Sequence, residues 1–280
     1  MKVISASRRT DLIAFFPEWL SNSIQKGVAE VIGPAGNKYK VNLNPSEVHT
    51  FVLWSKNFHN LVTNKYNLLN LLTNYSQLFF LFTITGLGGS FIEQEVPSPE
   101  IAISQIEGLI KIAGIPERVS IRFDPIVYWW ESGTLKTNLY FFETLAPILK
   151  KFDIKNIKFS FAQWYEKCKK RAKKYNFAYY DPPLEKKKED AIYLAQIAKT
   201  YNLNLYACSQ NFLANLNGIM PSACIDGNLL SRLHPHNYPA STKKDKTQRK
   251  ECNCTESVDI GSYTQACPHS CLYCYANPRI

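Results

Sequence analysis

Residues 79–124 read FFLFTITGLGGSFIEQEVPSPEIAISQIEGLIKIAGIPERVSIRFD. Phe79–Thr85 is a short apolar run that stops at Thr85-Gly86, as a buried strand does. Farther on, Ile103, Ile106, Leu109, Ile110 and Ala113 recur at three- and four-residue spacing, which predicts a helix over Glu100–Ala113. Ser98-Pro99-Glu100 opens that helix with a capping residue and a proline at its first position. Val119–Asp124 then reads as a second strand. A strand, a helix and a strand in this order form a unit of a parallel sheet with the helix outside it.

The same rhythm extends in both directions. Further strands are expected at Val3–Ser7, Thr50–Ser55, Ile157–Phe161 and Leu203–Cys208, and helices at Asp11–Gln25, His59–Asn74, Leu139–Lys151 and Leu184–Tyr201. Thr10-Asp11 supplies a cap for the first helix. Six strand–helix units are too many for a two-unit motif and predict an α/β fold, a full or partial (β/α) barrel of parallel strands. A doubly wound open sheet is the runner-up. Either architecture places its site at the carboxyl ends of the strands. Those ends carry Ser5–Arg9, Trp54–Asn57, Thr83–Gly86, Arg122–Pro125 and Ser160-Phe161, so polar groups recur where each apolar run stops. We divide the chain into a core over 1–209, an irregular arm over 210–256, and a last segment over 257–280 that opens with a strand at Val258–Tyr263.

Composition narrows the function classes. Hydrophobic residues make up 45% of the 280 residues, enough for a sizeable core. No apolar run approaches the roughly 18 residues of a membrane helix, and MKVISASRRTD turns charged before a signal-peptide apolar region forms. The expectation is a cytoplasmic protein with no membrane partner. The net charge of +10, from 33 Lys+Arg against 23 Asp+Glu, favours anionic partners such as nucleic acid, although a lysine-rich composition also arises without any binding role.

In a reducing compartment, clustered thiols point to metal rather than to disulfides. Five of the eight cysteines lie in the last 29 residues: Cys252, Cys254, Cys267, Cys271 and Cys274. Cys267, Cys271 and Cys274 have the spacing C-x3-C-x2-C, which lets one loop ligate three irons of a [4Fe–4S] cluster and leave the fourth open. Zinc, with His269 as fourth ligand, is the alternative at this loop. Cys208, Cys224, Cys252 and Cys254 form a second candidate set for an Fe–S cluster or a structural zinc. Cys208 and Cys224 could instead be buried small hydrophobes, and Cys168, inside a charged stretch, reads as incidental.

With Tyr273 in the aromatic slot, C-x3-C-x-aromatic-C resembles the cluster motif of the radical S-adenosylmethionine superfamily, and CPHSCLYCYAN is similar to the cluster loop of spore photoproduct lyases. The whole chain also resembles a bacterial family of unknown function, through ISASRRTD, WSKN, RFDPI and CNCTESVDIGSY. In the superfamily the cluster loop follows the first barrel strand, whereas here it follows Val258–Tyr263, so the resemblance implies a circularly permuted barrel. It further implies cleavage of S-adenosylmethionine through the open iron, an external electron donor such as a flavodoxin or ferredoxin, and a substrate that the motif does not name. By position, Tyr273 would meet the adenine, Ser5, Ser7 and Arg9 the methionyl group, and Arg122 with Asp124 the carboxylate or ribose. Arg9 suits a carboxylate because its fork binds both oxygens. The glycine-rich GGE-like segment of the superfamily is absent at Val3–Ser7.

Other stretches read less sharply. Tyr128-Trp129-Trp130 could stack on a nucleic-acid base but better fits a cap on the core. Lys167–Lys174, Lys186–Lys188 and Lys243–Lys250 could track phosphates, although solvated faces are the commoner meaning. His234-Pro235-His236 suggests a rigid loop, and Leu87-Gly88-Gly89 a loop of close approach. Two other readings compete with the enzyme: a zinc-stabilised nucleic-acid-binding protein without catalytic activity, and an Fe–S electron-transfer module.

Overall fold

The computed structural model describes residues 1–276, 278 and 279. In chain order its strands are β1 (Lys2–Ala6), β2 (Val28–Ile32), β3 (Lys38–Asn42), β4 (Val48–Ser55), β5 (Leu78–Thr83), β6 (Val119–Ile126) and β7 (Tyr128–Glu131). They continue as β8 (Thr134–Thr137), β9 (Asn156–Phe161), β10 (Tyr179–Tyr180), β11 (Asn204–Ala207), β12 (Met220–Pro221) and β13 (Val258–Asp259). Eight of them build one sheet in the order β12-β11-β9-β6-β5-β4-β1-β13, with every neighbouring pair parallel. The order follows the chain from β1 to β12 and seats β13 beside β1. It contains no reversal of the kind that defines a doubly wound sheet. Nor is the sheet a closed barrel: β12 and β13 stand at its two edges.

Alternation along each strand separates two faces. Phe51 and Leu53 on β4, Phe80 and Phe82 on β5, Ile121 and Phe123 on β6, and Ile157 and Phe159 on β9 enter the main core. Leu20, Ile106, Leu109, Phe142, Leu145 and Leu194 from the helices cover that face. Burying such side chains stabilises the fold by about 1.5–3 kcal/mol each. On the other face, Val3, Val52, Phe79 and Leu81 form a smaller cluster with Ile225 and Leu230. Arg122, Asp124, Lys158, Ser160 and Cys208 share the period-two positions of that face, Arg122 standing opposite Lys158 in the β6–β9 register. The apolar residues that fill the main core thus force the charged ones toward the opposite side.

Several elements are shorter than their sequence pattern. The helix expected over Asp11–Gln25 divides into Leu12–Phe15 and Pro17–Gln25, because Pro17 cannot continue the first segment and restarts the second. The one expected over His59–Asn74 breaks where Asn64, Tyr66 and Asn67 adopt left-handed backbone. Val258–Tyr263 pairs as a strand only over Val258–Asp259. Unanticipated elements are the hairpins β2–β3 and β7–β8 and the helices Glu166–Lys174 and Gly227–Leu233. Ser132 and Gly133 both have positive φ between β7 and β8, a two-residue turn whose twist matches its strands. Among the described residues no helix is long and apolar enough to cross a membrane.

Candidate metal and cofactor site

The carboxyl ends of β1, β4, β5, β6, β9 and β11 surround a cavity of ≈ 800 Å³. Cys208, Cys224, Cys252, Cys254, Cys267, Cys271 and Cys274 all line it. The seven cysteines singled out as metal ligands therefore meet at one site, in two sets. Among the described residues, neither set is drawn up into a closed shell of three or more His, Cys, Asp or Glu ligands.

The loop carrying Cys267, Cys271 and Cys274 is fastened by residues distant in sequence. Asp11 is the principal anchor. Its Oδ1 caps the helix Leu12–Phe15 at Ala14 N (2.9 Å), while Oδ2 accepts from Lys56 N (2.9 Å) and lies 2.8 Å from His269 Nε2. Ser55 Oγ also donates to Asp11. The other nitrogen of His269 lies 3.0 Å from the Glu95 carbonyl. Both ring nitrogens are thus engaged, and through them His269 ties the loop to Asp11 and to the Glu95 backbone. Cys168, which the sequence marked as incidental, is buried beneath the loop and bonds the Tyr273 and Cys274 carbonyls at 3.4 Å each. Arg171, one turn along the same helix, donates to the Leu272 and Cys274 carbonyls at 3.0 and 2.8 Å.

Burial sets the electrostatics of the three thiols. It pushes Cys267 up to about 11, with Asp11 and then Cys274 adding to the shift, and Cys271 well above the ordinary thiol value, with Glu93, Cys274 and Cys267 adding to it. Lys56 offsets part of this for Cys271. Its ammonium pairs at 2.8 Å with Glu93, which is 0% exposed and also accepts from Thr85 Oγ1 and Tyr273 OH. The Lys56 pKa is raised: burial opposes the charge, but Glu93 and Cys271 outweigh it. Lys56 belongs to the strand end Trp54–Asn57, expected at the site; Glu93 was not anticipated, since a lone Glu inside a loop gives no spacing signal.

The second set gathers Cys208 at the end of β11, Cys224 just past β12, and Cys252 and Cys254 ahead of β13. Cys208 and Cys224 are in sulfur–sulfur contact at 3.6 Å, and Cys254 lies within reach of both Cys224 and Cys252. Arg122 donates to Cys224 Sγ at 2.8 Å, and Ile225 N donates to Cys254 Sγ at 3.5 Å. The Cys254 contact holds the Cys252 thiol down at about 7, whereas the Cys224 contact, with burial, drives Cys208 up. Lys158, 3% exposed, has Ser120 Oγ at 3.1 Å and no ion pair among the described residues; burial lowers its pKa.

The expected cofactor contacts divide between these surroundings. Tyr273, Ser7, Arg9, Arg122 and Asp124 line the cavity, and Ser5 does not. Ser5 is buried beside it, donating to Asp259 Oδ2 (2.9 Å) and accepting from Trp54 Nε1 (3.0 Å). Ser7 Oγ accepts from Arg9 N at 3.0 Å and packs so close to Gly261 that a Cβ there would fall 2.0 Å from it. Arg9 donates to the Gly261 carbonyl at 2.7 Å and lies over Tyr263. Arg122 and Asp124 pair with each other, and Asp124 also accepts from Ser160, so both belong to the second cysteine set.

Of the other candidates, Lys167, Thr247, Gln248 and Arg249 from the basic stretches line the cavity, and the following do not. Tyr128 is buried and donates to Asp190 at 2.5 Å, as a cap on the core does, whereas Trp130 faces solvent. Gly88 approaches its own chain, with a Cβ there meeting the Pro97 carbonyl at 1.9 Å, so its freedom serves the loop and not a cofactor. Lys169, Lys187 and Lys188 are paired with Glu166, Asp181 and Glu185. His234 accepts from His236 N at 3.2 Å and stacks on Tyr238, a rigid loop. Asn277 and Ile280, within the last expected segment, lie outside the described residues.

The chain belongs to the family described as a domain of unknown function, DUF1848, whose profile matches residues 3–276. No curated protein and no solved structure matches it.

Proposed function

We propose that this DUF1848 chain is a radical S-adenosylmethionine enzyme built on a circularly permuted, partial (β/α) barrel. The observation that carries the reading is that the three thiols of one loop, Cys267, Cys271 and Cys274, all line one cavity of ≈ 800 Å³. Their sulfur donors fit a [4Fe–4S] cluster, and the cavity has room for a small cofactor beside it. When bound, such a cluster supplies the electron that splits S-adenosylmethionine into methionine and a 5′-deoxyadenosyl radical.

The residues of the chain have separable tasks in this reading. Cys267, Cys271 and Cys274 hold the cluster. Lys56 offsets the negative charge that three thiolates bring into a buried place. Asp11, His269 and Arg171 fix the loop at the wall of the cavity. Tyr273 is tethered through its hydroxyl to Glu93, which leaves its ring at the cavity wall for the adenine. Ser7 and Arg9 stand across from it for the methionyl group. The electron comes from an external flavodoxin or ferredoxin. The substrate is of unassigned class, nucleic acid among them.

The test is anaerobic reconstitution with iron and sulfide, reduction, and assay of 5′-deoxyadenosine release from S-adenosylmethionine. Brown protein that releases the nucleoside, with release abolished when Cys267, Cys271 and Cys274 are changed to Ala, supports the reading. Protein that takes up no iron, or releases the nucleoside equally without the three cysteines, overturns it.

A further inference from the structure

We infer that Cys208, Cys224, Cys252 and Cys254 hold a single, tetrahedrally coordinated zinc ion that clasps together the two edges of the open sheet. The first support is distance. Cys208 and Cys224 have their sulfurs 3.6 Å apart. Two thiolates on one zinc, each bonded at about 2.3 Å and at the tetrahedral angle, stand about 3.8 Å apart. A disulfide would bring them to about 2.0 Å, and a cubane carries each thiolate on a separate iron, which spreads the sulfurs to roughly 6 Å. The observed contact fits one shared ion.

Charge is the second support. Lys158 is 3% exposed, and a buried ammonium without an anion is costly. It faces Cys208, Cys224 and Cys254, as do Arg122 through Cys224 and Arg8 through Cys254. Arg8 Nη2 is buried with no partner of its own. Zinc bound by four thiolates, with four protons released to solvent, keeps two negative charges for these cations to meet.

Topology gives the third. Cys208 and Cys224 leave the β11–β12 edge, and Cys252 and Cys254 enter the β13 edge. Across the gap the described backbone makes one direct bridge, Thr255 N to the Ile225 carbonyl at 2.9 Å. A shared ion closes there what strand pairing leaves open. The inference does not depend on the radical reading, since no ligand is common to both sets.

The experiment uses the full chain with Cys267, Cys271 and Cys274 all changed to Ala, so that only the second set remains. Metal analysis should find about one zinc per chain, and X-ray absorption about four sulfurs near 2.3 Å with no neighbouring metal. Stripping the zinc with a mercurial should lower Tm by roughly 10 °C, and adding zinc back should restore it. Because Cys252→Ser with Cys254→Ser could fail to fold, cobalt exchange into the otherwise unaltered protein serves as a second readout, with the visible bands of a tetrahedral tetrathiolate expected. About four irons per chain in the triad variant would overturn the inference in favour of a cubane. Metal-free protein with a Cys208–Cys224 disulfide would overturn it in favour of a redox pair.

Discussion

The two cysteine sets of one cavity are built in opposite ways. Cys267, Cys271 and Cys274 lie within eight residues, and the fold grips the loop between them through its backbone and His269. Cys208, Cys224, Cys252 and Cys254 are spread over 47 residues, and the contacts reach their sulfurs directly. A local motif needs the fold to hold it and contributes little to the fold in return. A dispersed set exists only once the chain has folded, and a ligand bound to it stabilises that fold. Loss of the first should therefore be read in chemistry and loss of the second in stability.

The largest effect expected is on chemistry. Cys271→Ala should reduce 5′-deoxyadenosine release by at least about a thousandfold, to background, because a cluster cannot be held open-faced by two thiolates. Its Tm should fall far less than that of zinc-stripped protein. Equal losses of Tm would break the contrast between the sets. Next comes the support of the loop. Glu93→Ala leaves Lys56 buried and unpaired, at an expected cost of about 3–5 kcal/mol in urea unfolding. A Lys56→Met, Glu93→Leu double variant should recover much of that stability without recovering nucleoside release. Asp11→Ala removes the acceptor used by Ser55, the Lys56 amide and His269, for about 1–3 kcal/mol, together with weaker cluster loading measured as iron per chain.

A control away from both sets uses acid. Burial lowers His234 to about 4, from an ordinary value of 6.5. The folded state therefore resists a proton that the unfolded chain accepts. The contribution of His234 is complete above about pH 6.5 and is lost as the pH falls toward 4. His234→Gln should flatten the dependence of Tm on pH in that window alone, without change in metal content. The smallest effect is Trp130→Ala, within about 0.5 kcal/mol of the parent, because its ring faces solvent.

The same contrast explains what could be read from the chain in advance. The cap at Asp11 and the apolar runs of β4, β5, β6 and β9 are local patterns, and each stands where its spacing placed it. Helix lengths were overread where Pro17 and left-handed Asn64, Tyr66 and Asn67 interrupt an apolar repeat that continues across them. The β7–β8 hairpin carried a readable sign in Ser132-Gly133, whereas the two-residue strands β10 and β12 carried none. Nothing in the sequence could join Lys56 to Glu93, or Cys168 to the cluster loop, since these contacts appear only when parallel strands bring their ends together. Arg122 and Asp124 line the cavity, yet their partners, each other and Cys224, depend on register.

Short edges have a consequence for behaviour in concentrated solution. An open sheet exposes two rows of backbone groups on which another chain can add a strand and seed fibres. Here each border strand, Met220–Pro221 and Val258–Asp259, is two residues long, and one of them includes a proline that has no N–H to offer. The eight-stranded platform therefore presents almost no template for edgewise growth, and its resistance to aggregation is set by how little of each border is strand at all.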